Sequence, residues 1–156
     1  MTYAMTTPTR PDPKDWLTKR TLATLLRAEL AAAERCRIAM ASLDDTRLVV
    51  KLAGCRRAHR ARAHLLTQEL LRHGVRPPTD GGFRGALSTA LQRLASALGA
   101  SVGLAHLRRT ERRQRRRYEN ALRKLKERPY RLVKQRLLGE QRITQYDVRL
   151  VATAVA

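Results

Sequence analysis

The sequence predicts an all-α protein, and three observations support this fold class. Hydrophobic residues make up 43% of the 156 residues while aromatic residues make up 4%, and the apolar content is mainly leucine, alanine and valine, as in helical bundles. Apolar side chains recur at intervals of three and four in four long segments, which is the spacing of one helix face. A stretch rich in glycine and proline divides these segments into two halves. We therefore expect one domain, a four-helix bundle at residues 15–156, with a short connector helix between helices two and three.

Residues 1–14 contain three prolines and four threonines and show no apolar periodicity, so a disordered N-terminal arm is expected. Helix one is predicted from Trp16 to Leu43, and a polar turn at Asp44–Thr46 offers side chains that cap the next helix. Helix two is predicted to end at Gly74. The predicted core faces are Leu22, Leu26, Ala33, Cys36 and Met40 in helix one and Leu48, Leu52, Cys55, His59, Leu66 and Leu70 in helix two.

The segment from Gly74 to Gly85 contains paired prolines and paired glycines, which predicts a non-helical loop. The connector helix is expected from Ala86 to Leu98, followed by a break at Gly99–Gly103. A long basic helix three is predicted from Leu104 to Glu127.

Pro129 is expected to end helix three, because proline cannot continue a helix from its interior. Helix four then runs from Tyr130 to about Thr153 in this prediction. The predicted core faces are Leu104, Leu107, Glu111, Gln114, Tyr118, Leu122 and Leu125 in helix three and Val133, Leu137, Thr144, Val148 and Val151 in helix four.

The charge of the chain predicts a polyanionic partner. Lysine and arginine number 33 against 13 acidic residues, a formal net charge of +20, and such a charge is easier to hold when a polyanion screens it. Arginine outnumbers lysine 27 to 6 and fills seven of the ten positions from Arg108 to Arg117. A guanidinium group binds phosphate through two parallel hydrogen bonds, so phosphate is the expected chemistry.

The outward face of helix three is predicted to form a continuous basic surface that the start of helix four extends. No aromatic residue alternates with its arginines, and no helix-turn-helix, zinc or RNA-module motif is present, so base stacking and base readout are not expected. We predict sequence-independent binding of the phosphate backbone of duplex DNA or structured RNA. The predicted nucleic-acid-binding residues are Arg108, Arg109, Arg112, Arg113, Arg116, Arg117, Arg123 and Lys124, with Arg56, Arg57 and Arg60 on helix two, where Arg62 lies nearby.

Several short motifs resemble a known family. They are Leu22-x-x-Leu25-Leu26, Leu43-x-Asp45, Gly74-x-x-Pro77 followed by Gly82-x-x-Gly85-Ala86-Leu87, and Glu111 seven residues before Tyr118-Glu119-x-Ala121-Leu122. In these motifs the chain resembles bacterial four-helix-bundle proteins of unknown function in the ferritin-like superfamily. The resemblance implies a ferritin-like four-helix bundle and kinship with di-iron proteins and DNA-protecting ferritins, without implying a reaction. Members of that family are usually acidic or neutral, so this chain is an unusually basic one.

Four residues are candidates for a remnant metal site: Glu29, His59, Glu111 and Glu140. An antiparallel pairing of helices one and two places Glu29 and His59 at the same height in the bundle. Glu111 and Glu140 are predicted to lie on the apolar stripes of helices three and four. Di-iron bundles use two Glu-x-x-His motifs, and both are absent here. We therefore predict no metal and no cofactor, and buried salt bridges with arginines of helix two, with a single weak metal site as the alternative.

The remaining motifs do not predict catalysis, so we do not expect an enzyme. Gly81-Gly82-x-x-Gly85 follows no strand and lacks the Lys-Ser/Thr pair of a phosphate-binding loop. Cys36 and Cys55 have no acid–base partner at a readable spacing and are expected to be buried, reduced thiols.

Alternative functions stay open beside nucleic-acid binding: a ferritin-like metal-linked stress protein, or a structural partner of an acidic protein. Attachment to a membrane surface is disfavoured, because the apolar helix faces are needed for the core. No segment has the length and hydrophobicity of a membrane span or signal peptide, so a cytoplasmic location is expected. A homodimer is compatible with the sequence, although no outer seam is evident.

Overall fold

A computed structural model describes residues 13–156 of the protein. Every regular element in this part of the chain is helical, so the all-α prediction is confirmed. Of the predicted N-terminal arm, residues 1–12 lie outside the described residues, and residues 13 and 14 open the first helix. The helices are α1 (Pro13–Met40), α2 (Thr46–Arg72), α3 (Gly82–Ala97), α4 (Ala100–Leu122), α5 (Glu127–Leu132) and α6 (Leu138–Ala154), and a π-helical turn, Val133–Leu137, joins the last two.

The turn between α1 and α2 and the end of α2 follow the predicted signals. Asp45 has extended backbone angles and its carboxylate accepts a hydrogen bond from the backbone N–H of Arg47 at 2.7 Å, so it caps α2. At the other end Gly74 has a φ of +67°. The backbone N–H of Val75 then reaches the carbonyl of Leu70 at 3.0 Å, which is the left-handed stop that favours glycine.

The connector helix is longer than predicted, because α3 begins at Gly82 and not at Ala86. The Asp80 carboxylate accepts a hydrogen bond from the Gly82 N–H at 2.8 Å. The glycines bring this end of α3 against α1: a β-carbon built on Gly81 would lie 3.0 Å from the β-carbon of Ala31, and one on Gly85 would lie 3.2 Å from it. Close packing on α1 therefore supports helix in a segment that composition alone predicts to be a loop.

Both ends of the basic helix also differ from the prediction. The break before α4 is confined to Leu98 and Gly99, and the φ of Gly99 is +123°. Gly103 is helical and packs against Ser96 of α3. The helix ends at Leu122, well before Pro129, so the prediction that this proline ends it is wrong. Pro129 lies in the first turn of α5, where the backbone N–H that proline lacks has no helical acceptor.

The helices pack in a closed order around the core. α1 packs against α2, α2 against α6, α6 against α4 and α4 against α1, while α3 covers α1 and α4 from outside. One apolar cluster lies towards the start of α1 and the other towards its end, and between them lie buried polar side chains from four helices: Glu29, His59, Glu111 and Gln141. The first cluster includes Leu22, Leu25, Leu66, Tyr118, Val133 and Leu137, and the second includes Cys36, Leu52, Cys55, Leu104, Leu107, Val148 and Val151.

The two cysteines are buried and form no disulfide, as predicted. Burial raises the pKa of Cys55 to about 12, so its thiol is protonated at neutral pH. Within residues 13–156, no helix combines the length and hydrophobicity needed to cross a membrane.

Candidate nucleic-acid interface and buried polar cluster

The outward face of α4 carries five exposed arginines: Arg109, Arg112, Arg113, Arg116 and Arg117. We call these five residues the arginine ridge. Their exposure follows from the opposite face of the helix, where Leu104, Leu107, Glu111, Gln114 and Tyr118 are fully buried. The ridge extends over nine residues, 109–117, which is about 12 Å along the helix axis, and exposed Arg123 and Lys124 follow it directly after α4 ends.

The ridge is nearly free of acidic neighbours. Within residues 15–156, none of Arg109, Arg112, Arg113 and Arg116 has a carboxylate oxygen within 4.0 Å. The half-buried Arg115 beside the ridge takes the nearby carboxylate of Glu119, at 3.3 Å. Arginines three and four residues apart on one helix face repel each other when no opposite charge lies between them, so this face is electrostatically suited to an anion.

A second effect of this positive charge is seen at His106, which precedes the ridge on α4. Burial, together with the charges of Arg35, Arg109 and Arg113, lowers the pKa of His106 below its usual value. The imidazole is therefore neutral at pH 7, and the charge of this region comes from arginine alone.

The other predicted binding residues lie in different places. Arg108 is half-buried on the flank of α4. Arg56, Arg57 and Arg60 are on α2, which packs against α1 and α6 and lies across the bundle from α4. The structure therefore does not bring the arginines of α2 beside the ridge, and the two groups cannot contact one phosphate backbone at adjacent positions.

Between the two apolar layers lies a buried polar cluster centred on Glu29 of α1. Its oxygen Oε1 accepts hydrogen bonds from the amide of Gln114 at 2.7 Å and the hydroxyl of Tyr118 at 2.8 Å. Its oxygen Oε2 accepts from Nδ1 of His59 at 2.7 Å and Nε of Arg62 at 3.1 Å. A fully buried carboxylate thus accepts hydrogen bonds from four side chains, two on α2 and two on α4.

Arg62 of α2 is fully buried and pairs with Glu29, in agreement with the predicted buried salt bridges with arginines of helix two. Besides Glu29, its guanidinium donates to the hydroxyl of Thr144 at 3.1 Å and the amide oxygen of Gln141 at 2.8 Å, both on α6. Its position three residues after His59, on the apolar stripe of α2, is the sequence signal that indicates burial.

His59 lies between two carboxylates. Nδ1 faces Glu29, and Nε2 lies 3.4 Å from Oε1 of Glu111 on α4. Burial opposes a charge on the ring, but Glu111 and Glu29 together raise the pKa of His59 well above its usual value. The ring is therefore an imidazolium that joins the two acidic groups.

The pKa of the central carboxylate moves the opposite way. Burial alone would raise the pKa of Glu29, but the positive charges of His59 and Arg62 and the hydrogen bonds lower it to about 2. The pKa of Glu111 is also lowered, because burial is outweighed by His59, Arg35 and a hydrogen bond from Gln141 at 2.7 Å. The cluster is therefore fully ionised at neutral pH.

Three of the four candidate metal ligands meet in this cluster: Glu29, His59 and Glu111. The predicted buried salt bridge with an arginine of helix two is also present, between Arg62 and Glu29. The carboxylates of Glu29 and Glu111 lie at opposite nitrogens of His59, so the three side chains share no common point for an ion. Within the described residues, no three His, Cys, Asp or Glu side chains are arranged to hold a metal. The positive charge that a di-iron bundle receives from metal is supplied here by His59 and Arg62, so these residues do not fit a di-iron centre.

Glu140 is the exception among those four residues. It lies at the surface and accepts a hydrogen bond from Arg136 at 3.0 Å, so the prediction that it lies on the apolar stripe is wrong. Gln141 takes the buried position instead. The stripe can pass from Leu137 to Thr144 through position 140 or position 141, and the helix buries position 141.

Comparison with known protein families gives one match for this chain. The model of one family, described as "Domain of unknown function (DUF2383)", matches residues 18–124. The chain belongs to this family. The DUF2383 match covers nearly all of α1 and all of α2, α3 and α4, and therefore includes the ridge and most of the polar cluster. No curated protein and no solved structure matches the chain.

Proposed function

We propose that this DUF2383 protein binds the phosphate backbone of nucleic acids, without sequence preference, through the arginine ridge of α4. The observation that carries the proposal is that these arginines are exposed on one helix face without carboxylate partners. Over about 12 Å the ridge matches about three to four phosphates along one strand of a duplex. Each guanidinium offers a planar pair of donors for phosphate oxygens.

The mode of binding follows from what surrounds the ridge. The described aromatic residues are buried or lie on other helices: Tyr118 is in the core, and Trp16 of α1 packs under the guanidinium of Arg20 at 5.1 Å. The exposed ring of Phe83 lies on α3 and not on α4, so no aromatic side chain alternates with the arginines of the ridge as a stacking surface for successive bases would require. Binding by charge and backbone shape suits duplex DNA or structured RNA.

The test is the salt dependence of binding to labelled duplex DNA and to structured RNA. Each neutralised phosphate contributes a slope of about −0.9 in log K against log salt on B-DNA, so the triple variant R112Q/R113Q/R116Q is expected to reduce the slope by about 2.7. Folding is expected to be unaffected because all three side chains are exposed. Arg117 is left unchanged because it also donates to Gln114 at 3.2 Å.

The matched control is R47Q/R142Q/R149Q, which removes three exposed positive charges from α2 and α6. We expect this variant to keep a salt slope close to that of the unaltered protein. Equal losses in the two triple variants would show that net charge and not the ridge drives binding. Absence of salt-sensitive binding would refute the proposal as a whole.

We further propose that the helices adopt the ferritin-like arrangement that the sequence motifs indicate. The closed packing of α1, α2, α6 and α4 supports it, as does the convergence of polar side chains from all four helices on Glu29 and Arg62. Ferritin-like bundles direct their metal ligands to the same central region. An experimental structure in which these four helices superpose on a ferritin-like bundle is the test, and a different helix order would exclude it.

We also propose that the protein forms a homodimer through α3. The outer face of this helix carries an apolar stripe with spacings of four, four, three and four residues, as in helix-pairing seams: Phe83, Leu87, Leu91, Leu94 and Leu98. Phe83 is 85% exposed. No such seam is evident from the sequence, which predicts only a short connector helix in this segment.

The charge distribution favours a second copy of the chain as the partner that covers the apolar stripe of α3. The only charged residues of α3 are Arg84 and Arg93, so two chains of charge +20 repel each other least when these faces meet. Sedimentation velocity is expected to show a dimer that Leu91→Glu converts to monomer, while Ile143→Glu, which alters an exposed apolar residue of α6, leaves it intact. A monomeric unaltered protein, or a dimer that tolerates Leu91→Glu, would refute this pairing.

A further inference from the structure

A pocket of about 580 Å³ opens between α1, α3 and α4, and it shares Arg117 with the ridge. Its size lies within the range of small-molecule sites, about 300–1,000 Å³. Five arginines from three helices line it, and its lining contains no acidic side chain: Arg20, Arg27 and Arg35 of α1, Arg84 of α3 and Arg117 of α4.

Arg35 is the most deeply buried of these five arginines. Its side chain is 2% exposed, and one nitrogen, Nη1, donates to the hydroxyl of Ser88 at 3.1 Å. Its Nε atom is buried and has no hydrogen-bond partner. Within residues 15–156, no carboxylate oxygen lies within 4.0 Å of this guanidinium. Glu111 and Glu29 act on this cation from a greater distance, but burial outweighs them and lowers the pKa of Arg35. Native proteins normally provide a hydrogen-bond partner for a buried polar atom such as Nε.

The positive charges of the arginines around Arg35 also affect one another. Partial desolvation and the charges of Arg35, Arg113 and Arg84 lower the pKa of Arg117. On the opposite wall, the side chain of Arg27 passes over Gly82, where its Cδ would be 3.3 Å from an added β-carbon. The glycines at the start of α3 therefore leave room for an arginine side chain at the pocket wall.

We propose that this pocket binds a small molecule that carries a chain of two or more phosphates, with Nε of Arg35 as the innermost donor. A single phosphate carries a charge of about −1.5 to −2, which leaves most of the five positive charges unbalanced, whereas a triphosphate balances them better. Phosphate oxygens also accept the charge-assisted hydrogen bonds that guanidinium groups donate. Duplex nucleic acid is too wide to reach a 2%-exposed side chain, so this site goes beyond the proposed function of the ridge.

The experiment is calorimetric titration of the full chain with inorganic tripolyphosphate, adenosine triphosphate and orthophosphate at physiological salt. We expect one tight site per chain for the two triphosphates and much weaker binding of orthophosphate. Arg35→Met replaces the buried guanidinium with an unbranched apolar side chain that removes an unpaired charge, so this variant is expected to fold. Its affinity for tripolyphosphate is expected to fall about tenfold or more.

Arg84→Gln provides a second variant, because Arg84 is exposed on α3 and its loss does not disturb the core. It is expected to weaken tripolyphosphate binding severalfold. The control Arg142→Gln removes one exposed charge from α6, outside the pocket, and is expected to bind as the unaltered chain does. The ridge variant R112Q/R113Q/R116Q is also expected to keep this site, so failure of the pocket and failure of the ridge give different results.

Two comparisons decide the outcome. Equal affinity for tripolyphosphate and adenosine triphosphate would identify the phosphate chain as the recognised group, and tighter binding of the nucleotide would identify a nucleotide site. Unchanged binding in Arg35→Met and Arg84→Gln, several weak sites per chain, or no binding of either triphosphate would overturn the proposal.

Discussion

Replacing Glu29 with glutamine tests whether the buried polar cluster holds the four helices together. The substitution keeps the shape of the side chain but removes the charge that faces His59 and Arg62 at 2.7 and 3.1 Å. The new amide also places two N–H donors against groups that themselves donate, since all four partners of Glu29 are donors. We therefore expect unfolding to become easier without any change in core volume.

The magnitude follows from two independent quantities. A carboxyl pKa that falls from 4.5 to about 2 on folding corresponds to about 3 kcal/mol of folding free energy at neutral pH. Breaking a buried ion pair by removing one partner costs about 3–5 kcal/mol in other proteins. For a domain of this size, each kcal/mol lowers the melting temperature by about 2–4 °C, so Glu29→Gln is expected to lower it by roughly 6–20 °C.

The assay is urea unfolding followed by circular dichroism at neutral and acidic pH. In the unaltered protein, the contribution of Glu29 is present above the unfolded pKa of 4.5 and is lost as the pH falls towards 2. Glu29→Gln is expected to lack this acid-dependent loss. Tyr118→Phe, which removes one of the four hydrogen bonds, is expected to cost about 1–3 kcal/mol.

The matched control is Glu34→Gln, on the same helix. Glu34 accepts hydrogen bonds from Arg37 at the surface, at 3.0 and 2.6 Å, and exposed pairs contribute little because solvent screens them. If Glu29→Gln costs no more than Glu34→Gln, the cluster does not stabilise the fold as argued here.

Three further predictions concern the core. The raised pKa of His59 means that its contribution is complete below the unfolded pKa of about 6.5 and falls as the pH rises towards the folded pKa, so His59→Gln is expected to flatten the alkaline side of the stability profile measured by urea unfolding. Gly81→Ala is expected to lower the unfolding free energy by about 1–3 kcal/mol, because its new β-carbon would lie 3.0 Å from the β-carbon of Ala31. The β-carbon of Gly139→Ala would have no atom within 4 Å, so this control is expected to stabilise α6 by about 0.5–1 kcal/mol. Native protein treated with iodoacetamide at pH 8 is expected to show unmodified Cys55 by mass spectrometry and modification only after unfolding, since its pKa is about 12.

Much of the fold and part of the candidate site could be predicted from residue spacing. The core stripe from Leu104 to Tyr118 is buried as expected, so the ridge on the opposite face is exposed. The pairing of Glu29 with His59 also agrees with their equal distances from the turn between α1 and α2. The position of Glu140 was predicted wrongly, because the seven-residue step from Leu137 to Thr144 allows either position 140 or position 141 on the buried face.

The sequence by itself determined the elements that depend on local properties: all-helical structure, the turn capped by Asp45, the end of α2 at Gly74 and the outward arginines of α4. These features follow from periodicity, capping and backbone freedom, which neighbouring residues set. Only the tertiary structure decided that Arg62 donates to Thr144 and Gln141 of α6, and that Arg35 is buried beside an arginine-lined pocket with its Nε atom unpaired among the described residues. The physical reason is that the environment of a charged side chain depends on residues from other helices, and no spacing within one helix contains that information.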